Sequence, residues 1–255
     1  MTWTSRLVPG ALAGLLALGM TPGGQAASFD PAQRSEIERI IHDYLVEHPE
    51  VLQEAIESLE KKRNEAQSAA QKQAMEQNRD KLFESPRQVV LGNPQGDVTM
   101  VEFFDYNCGY CRRALADMQE LIRSDPKLRV VLKEFPVLGP GSTEAARVSI
   151  ALKRQGNDKY LAFHQKMLGE RGEANEQRAL EAAKSVGADM ARLRKDMADQ
   201  EVQATLEESF KLANALGLSG TPSYVIGRDV VPGAVGAATL KEKVAEARAA
   251  CGATC

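Results

Sequence analysis

The residues best suited to chemistry are two cysteines, Cys108 and Cys111, spaced as Cys-Gly-Tyr-Cys. They follow an apolar run at 98–104, which predicts a β-strand over 98–105, and residues 112–123 after them have helical spacing. A cysteine in the first turn of a helix faces unpaired backbone N–H groups and the positive end of the helix dipole, and both favour the thiolate. We therefore expect Cys108 to attack disulfides and Cys111 to resolve the mixed disulfide.

The cysteine pair has two other interpretations: a static structural disulfide, or half of a zinc site completed by Cys251 and Cys255. The zinc site is disfavoured because the second pair has a different spacing and no histidine lies near it in the sequence. For Cys251 and Cys255 themselves, a local disulfide, a copper(I) site and a frayed tail all remain open.

Glu102 lies within the predicted strand, six positions before Cys108. A carboxylate among strand apolar residues either faces solvent or is buried with a raised pKa. A buried Glu102 would accept the proton of Cys111 during exchange, and Lys133 in the neighbouring predicted strand would pair with it. Periodicity alone leaves both orientations open.

The N-terminus predicts export. Arg6, an apolar run at 7–20 and small residues after it are typical of a signal peptide covering residues 1–26, with an uncleaved anchor as the alternative. The folded part is then expected in the periplasm, where thiol chemistry is productive. A net charge of -3 with mixed signs excludes the basic surface of a nucleic-acid binder.

Residues 27–84 predict a helical segment and linker. Asp30-Pro31 starts one helix, Pro49 ends it, and a second helix follows with apolar residues on one side. The stretch from 60 to 81 is polar all round, so we expect it to separate these helices from the main domain. The apolar stripes then favour self-association over docking on the same chain.

Residues 85–255 predict an α/β domain. Strand, helix and strand at this spacing form a right-handed βαβ unit with a parallel strand pair. A helical insertion at about 141–217, a hairpin and a final helix follow. The loop at 139–143 lacks the Gly-Lys of a phosphate loop, so we expect no cofactor there. His42, His48 and His164 form no triad with Cys108 in sequence terms.

The run from Phe103 to Cys111, the acid before it, the helical insertion and Gly220-Thr221-Pro222 together resemble the DsbA-like thioredoxin-fold oxidoreductases. The segment 29–61 is similar to the one that precedes this domain in the suppressor-of-copper-sensitivity protein C (ScsC) branch. The resemblance implies a thioredoxin fold, a buried Glu102 and a cis-proline loop at Thr221-Pro222.

In such a loop, Thr221 and Pro222 bind an extended substrate strand beside Gly109 and Tyr110. The Gly109-Tyr110 dipeptide departs from the Pro-His of the strongly oxidising members, which points to a weaker oxidant. The sequence therefore predicts a periplasmic disulfide isomerase or reductase without cofactor or metal. The alternatives are a dithiol oxidase and a copper-binding protein.

The expected partners are cysteine-containing proteins and no nucleic acid. The resemblance further implies a membrane reductase similar to DsbD or ScsB, a homo-oligomer, in the form of a trimer, and a link to copper tolerance.

Overall fold

The computed structural model describes residues 29–251. The predicted signal peptide, residues 1–26, lies outside the described residues, as does the pairing of Cys251 with Cys255. The chain divides into two compact units between Lys61 and Lys62. Within residues 29–251, no helix combines the length and the apolar character that a membrane crossing requires.

The first unit contains helix α1 and the first part of helix α2, the predicted helix pair. Helix α1, Pro31–Glu47, begins at a capping box in which the Asp30 carboxylate accepts from the Gln33 N–H at 2.8 Å and the Gln33 side chain accepts from the Asp30 N–H at 3.0 Å. Helix α2, Pro49–Gln77, starts at the second proline. Both boundaries are as predicted, because proline fits the first turn of a helix and breaks its interior.

The apolar residues of this unit face solvent. No residue of α1 is buried. Ile40 and Ile56 are 55% and 56% exposed, and they belong to a larger exposed set: Ile37, Ile40, Ile41, Tyr44, Leu52, Ile56 and Leu59. We call this set the stalk stripe.

The second unit contains a five-stranded sheet in the order β1-β3-β2-β4-β5. Strands β2 and β3 are parallel and enclose helix α4, which confirms the predicted βαβ unit, and the other neighbouring strands are antiparallel. The strands are β1 Val89–Gly92, β2 Val98–Phe104, β3 Leu128–Glu134, β4 Ser223–Ile226 and β5 Asp229–Pro232. The helices are α3 Arg79–Phe83, α4 Gly109–Ser124, α5 Pro140–Lys153, α6 Asn157–Gly169, α7 Glu176–Ser185, α8 Met190–Met197, α9 Gln200–Ala215 and α10 Ala237–Cys251. Helices α5 to α9 form the predicted insertion.

Central strand β2 is buried on both faces, as expected for a strand covered by helices on both sides. Met100 and Phe104 belong to the core shared with α4, α10 and most of the insertion. Val101 and Phe103 belong to a second core shared with α3 and α9. Since side chains alternate along a strand, Glu102 lies on the same face as Met100 and Phe104.

The packed unit begins earlier than the predicted boundary after residue 84. Met75 at the end of α2 is buried, and so are Leu82 and Phe83 of α3, in the core under the second face of the sheet. Helix α2 ends at Gln77, and the Asn78 side chain donates to the Ala74 carbonyl at 2.9 Å. The few apolar residues of this polar stretch are therefore enough to fix it on the domain, so residues 62–84 are not merely a linker.

The expected pairing of Lys133 with Glu102 is wrong. The register of β2 and β3 places Glu102 beside Leu132, so Lys133 points to the opposite face of the sheet. There Lys133 Nζ lies 3.6 Å from a Glu208 oxygen and donates to the Lys81 carbonyl at 2.5 Å. Burial, opposed by the Glu208 charge, lowers the pKa of Lys133 to about 8.

Lys133→Ala should reduce the free energy of unfolding by about 2 kcal/mol, because it removes the buried ammonium that bonds the Lys81 carbonyl and faces Glu208, although Glu208 keeps its bonds from Ser85 and Arg87. The matched control is Lys211→Ala, since the Lys211 side chain is 81% exposed at 3.8 Å from Glu207 and should contribute less than about 1 kcal/mol. Urea unfolding measures both. Equal losses in the two variants would contradict the structural role of Lys133.

Candidate active site

The two cysteines lie at the start of α4, directly after the carboxyl end of β2. Cys108 is the N-cap residue of α4, and Cys111 lies in its first turn. The Cys108 N–H donates to the Asp105 carbonyl at 3.1 Å, which closes the turn between strand and helix. The structure thus places both cysteines where the strand–helix pattern predicts them.

The Cys108 sulfur occupies the place of a capping oxygen. It accepts from the Cys111 backbone N–H at 3.4 Å and lies 3.1 Å from the Thr221 carbonyl oxygen. Cys108 retains 5% exposure, whereas Cys111 has none. Both are free thiols. Of the two sulfurs, that of Cys108 is therefore the one a disulfide can approach first.

Hydrogen bonds make Cys108 the more acidic thiol. The Cys111 thiol donates to the Cys108 sulfur, and the Thr221 side chain and the N–H groups of Cys111 and Tyr110 are further donors. Together they lower the pKa of Cys108 to about 5, against an opposing effect of burial. The same hydrogen bond, burial and the Glu102 charge raise the pKa of Cys111 far above its usual range. At neutral pH the pair is thus one thiolate and one thiol.

Glu102 is buried on the face of the sheet that α4 covers, with 3% exposure. Burial, with smaller effects of the Asp117 and Cys108 charges, raises the pKa of Glu102 to about 8. Since that value lies close to neutrality, this carboxyl can exchange a proton in the working pH range. The exposed orientation of Glu102 is thereby excluded.

The peptide bond between Thr221 and Pro222 is cis, as the resemblance implies. The loop is held by the Gly233 N–H, which donates to the Pro222 carbonyl at 2.8 Å, and by the Ser223 hydroxyl, which donates to the Gly220 carbonyl at 2.7 Å. It lies directly beside the Cys108 sulfur, since the Thr221 carbonyl is the 3.1 Å neighbour of that sulfur.

The dipeptide between the cysteines is on the surface. Tyr110 is 59% exposed, and the Arg113 guanidinium lies 4.5 Å above its ring. A side chain at Gly109 would meet no atom within 4 Å. All the predicted site residues therefore surround Cys108, with Glu102 and Cys111 beneath it and Gly109, Tyr110, Thr221 and Pro222 around it.

Sequence reasoning missed two residues that hold the cysteine turn. The buried Asp105 carboxylate accepts from the N–H groups of Asn107, Val137 and Leu138 at 2.8, 2.8 and 2.9 Å. The Asn107 amide donates to the Ser142 hydroxyl and to the Ala174 carbonyl, both at 3.0 Å, and accepts from the Ala174 N–H at 2.7 Å. Their residue types could have indicated this role, because Asp and Asn side chains in a turn often form hydrogen bonds with backbone groups.

The histidines lie apart from this chemistry. His42 and His48 are exposed in the first unit. His164 is buried on α6, where its ring nitrogen lies 3.2 Å from the Tyr106 hydroxyl and burial lowers its pKa to about 3. Within residues 29–251, no three His, Cys, Asp or Glu side chains are grouped in a way that could hold a metal ion.

Two family models match this chain. Residues 99–245 match the DSBA-like thioredoxin domain, and residues 33–67 match the copper resistance protein ScsC N-terminal domain. The first match covers strands β2 to β5 except for the first residue of β2, together with the cysteine pair and the insertion. The second covers most of α1 and the first part of α2. The predicted α/β fold with an inserted helical subdomain and a helical N-terminal segment is thereby confirmed.

Similar proteins agree with these matches. A thioredoxin-like oxidoreductase from Silicibacter pomeroyi is 49% identical, over 68% of this chain and 98% of that one, with a TM-score of 0.65. A linker-deletion mutant of Proteus mirabilis ScsC is 27% identical, over 89% of this chain and 100% of that one, with a TM-score of 0.67.

Among curated proteins, the Na(+)/H(+) antiporter NhaA 1 of Salinispora arenicola is 28% identical over 142 residues. This match covers 55% of the chain but 22% of the antiporter, so the chain spans about a fifth of that relative's length. The matching residues, the fold and the cysteine geometry lead to one assignment. The chain belongs to the DSBA-like thioredoxin domain family.

Proposed function

We propose that this chain is a periplasmic disulfide isomerase or reductase that acts on protein substrates through Cys108 and Cys111. The observation that carries the proposal is the acidic Cys108 sulfur at the N-cap of α4, above a buried thiol and a buried carboxyl. A thiolate is the attacking species in disulfide exchange. The second cysteine stays protonated until it resolves the mixed disulfide.

The reaction begins when the Cys108 thiolate attacks one sulfur of a client disulfide. A bond forms between Cys108 and that sulfur, the client disulfide breaks, and the second client sulfur leaves as a thiolate. In isomerisation, another client thiolate then attacks the mixed disulfide and releases Cys108 unchanged. No net oxidant or reductant is consumed on this path.

In reduction, Cys111 releases the client instead. Cys111 gives its proton to Glu102 and attacks the Cys108 sulfur, so that a Cys108–Cys111 disulfide forms and the client leaves as a thiolate. The chain has then supplied two electrons. We propose that a membrane thiol reductase similar to DsbD or ScsB returns them, and that export by the signal peptide at 1–26 brings the chain to the periplasm.

A protein client is supported by the surface around Cys108. Tyr110, Val137, Leu138 and Val235 are between 36% and 59% exposed. The Val137 and Leu138 N–H groups are bound to Asp105 of the cysteine turn, and Val235 follows the Gly233 that binds Pro222. Exposed apolar side chains beside a reactive sulfur fit an incompletely folded polypeptide better than a small thiol.

Isomerisation is favoured over oxidation by the residue at position 110. Tyr110 supplies no imidazole to stabilise the thiolate. The pKa of Cys108, about 5, lies between the values of about 7 for thioredoxin and about 3.5 for the strong oxidant DsbA. Since a less stabilised thiolate makes the disulfide a weaker oxidant, a dithiol oxidase is the second candidate rather than the first.

We further propose that the first unit makes the chain a homo-oligomer, with a trimer as the expected form. The stalk stripe exposes large apolar side chains at helical spacing on α1 and α2. A soluble helix is stabilised when such a stripe is covered. An assembly that holds several Cys108 sites near one client would favour repeated attack, which isomerisation needs.

The reduced protein should show a thiolate absorbance that titrates with a midpoint at pH about 5 and disappears in Cys108→Ser. Folding lowers the pKa of Cys108 from 9.0, so the linked stability is complete above pH about 9 and is lost as the pH falls through about 5. The reduced protein should therefore lose stability relative to Cys108→Ser on acidification from pH 9 to pH 5. A midpoint near pH 9 would refute the proposed nucleophile.

Isomerase activity is tested with scrambled ribonuclease. The reduced protein should restore ribonuclease activity without added oxidant, and Cys108→Ser should not. The matched substrate is reduced, unfolded ribonuclease with the oxidised protein. If ribonuclease activity returned rapidly from the reduced substrate but not from the scrambled one, the protein would be a dithiol oxidase instead.

Ile40→Glu with Ile56→Glu should yield a monomer, because each change places a charge in the stalk stripe. This variant should still exchange thiols with a small disulfide but should isomerise scrambled ribonuclease poorly. Ser58→Glu is the control, because Ser58 lies on α2 outside the stripe. Light scattering gives the mass, and a monomeric unmodified protein would contradict the oligomer.

A further inference from the structure

A second buried polar residue, Tyr224, lies in the same core as the cysteine pair. Tyr224 on β4 is 1% exposed. Its hydroxyl is fully buried and has no hydrogen-bond partner among residues 29–251. A buried hydroxyl without a partner is costly and uncommon, so such a group in a packed core indicates a requirement other than stability.

The sheet register brings this hydroxyl-bearing side chain to Glu102. Strands β2 and β4 are antiparallel, and Tyr224 is the direct cross-strand partner of Glu102. Directly opposed residues point to the same face with their Cβ atoms about 5 Å apart. Tyr224 shares the core of that face with Cys108 and Cys111. The tyrosine, the carboxyl and the resolving thiol thus lie together under α4.

The other charged groups around Glu102 do not stabilise its ionised form. On α4, Asp117 and Cys108 carry negative charge and raise its pKa. On β3, its neighbour is Leu132, and Lys133 points to the opposite face.

The cations of α10 have partners elsewhere. Lys241 pairs with Glu120 at 2.5 Å, and Lys243 pairs with Glu246 at 2.6 Å. Arg248 lies 2.8 Å from both Asp97 and Asp125. Within the described residues, the residue directly opposite Glu102 on β4 therefore carries a hydroxyl that has no hydrogen-bond partner.

We propose that Tyr224 is a positioning residue for the resolving step. Its hydroxyl, unpaired in this structure, donates a hydrogen bond to the Glu102 carboxylate when that group is ionised, and so keeps the carboxylate able to accept the Cys111 proton. Burial and the neighbouring Glu102 and Cys111 charges raise the pKa of Tyr224 above its usual range, so the hydroxyl keeps its own proton throughout. The inference rests on the proposed function, because it assigns Tyr224 to the same exchange.

The step balances without another reagent. The Cys111 proton moves to Glu102, the Cys111 sulfur forms a bond to Cys108, and the bond between Cys108 and the client breaks. The client sulfur leaves with the electron pair and takes a proton from water. Tyr224 neither gains nor loses a proton, and it acts only by stabilising the ionised form of Glu102.

The test uses the full chain with glutathione attached to Cys108 as a mixed disulfide. The rate of glutathione release by Cys111 is measured against pH in the unmodified protein and in Tyr224→Phe. Without the hydroxyl, no hydrogen bond can form to Glu102 when it ionises. The midpoint of this profile should therefore rise by about one pH unit, so that release at neutral pH becomes about tenfold slower. The thermal midpoint should stay equal or rise, because no formed hydrogen bond is removed.

Two further variants separate the possible results. Tyr160→Phe is the matched control, because Tyr160 is a buried tyrosine whose hydroxyl lies 3.4 Å from Glu134 rather than at the cysteine site, and it should leave the profile unchanged. Glu102→Gln should abolish the inflection, and Tyr224→Phe should add no shift in that background.

Each outcome has one meaning. The inference is supported if Tyr224→Phe shifts the pH profile of glutathione release in the otherwise unmodified protein but not in the Glu102→Gln variant. An inflection that is lost in Glu102→Gln but is unmoved by Tyr224→Phe overturns the role of Tyr224 alone, and a Tyr224→Phe chain that fails to fold does the same. A protein that forms no mixed disulfide at Cys108 refutes the proposed function itself.

Discussion

The candidate site depends on one capping interaction, in which a sulfur takes the place that an oxygen usually holds at the start of a helix. Cys108 accepts the Cys111 N–H and so satisfies one of the unpaired donors of α4. Because those donors stabilise negative charge, the helix start favours the thiolate. The neighbouring elements position this sulfur. Strand β2 ends four residues before Cys108, the Asp105 carbonyl accepts from the Cys108 N–H, and the Thr221 carbonyl lies beside the sulfur.

The buried face of the sheet completes the chemistry through opposite shifts in acidity. Hydrogen bonds lower the pKa of Cys108, and burial raises the pKa of Glu102 to about 8. The hydrogen bond to Cys108, with burial, raises the pKa of Cys111 far above its usual range. Groups whose environments separate their pKa values take distinct roles. Here Cys108 is the nucleophile, Glu102 the base and Cys111 the resolving thiol. The sheet register imposes this separation, because it leaves Glu102 next to Leu132 instead of a lysine.

Local pattern predicted much of this fold, and long-range contacts explain the rest. The strand, the cysteine turn and α4 follow from apolar spacing and capping, which act over a few residues. The face on which Lys133 lies depends on strand register, which one sequence does not reveal. The packing of Leu82 and Phe83 was missed because two apolar residues in a polar stretch give little periodic signal. Asp105 acts on N–H groups more than 30 positions away, beyond any local motif.

The three hydrogen bonds of Asn107 have a consequence for how this fold can be altered. Its amide joins the cysteine turn to Ser142 at the start of the insertion and to Ala174 between α6 and α7. The helical insertion is therefore bonded directly to the cysteine turn, and it could not be replaced by that of a relative without affecting the turn. A chimera with a different helical segment would have to supply two acceptors and one donor for the Asn107 side chain. Otherwise the turn that carries the reactive sulfur would lose these three hydrogen bonds.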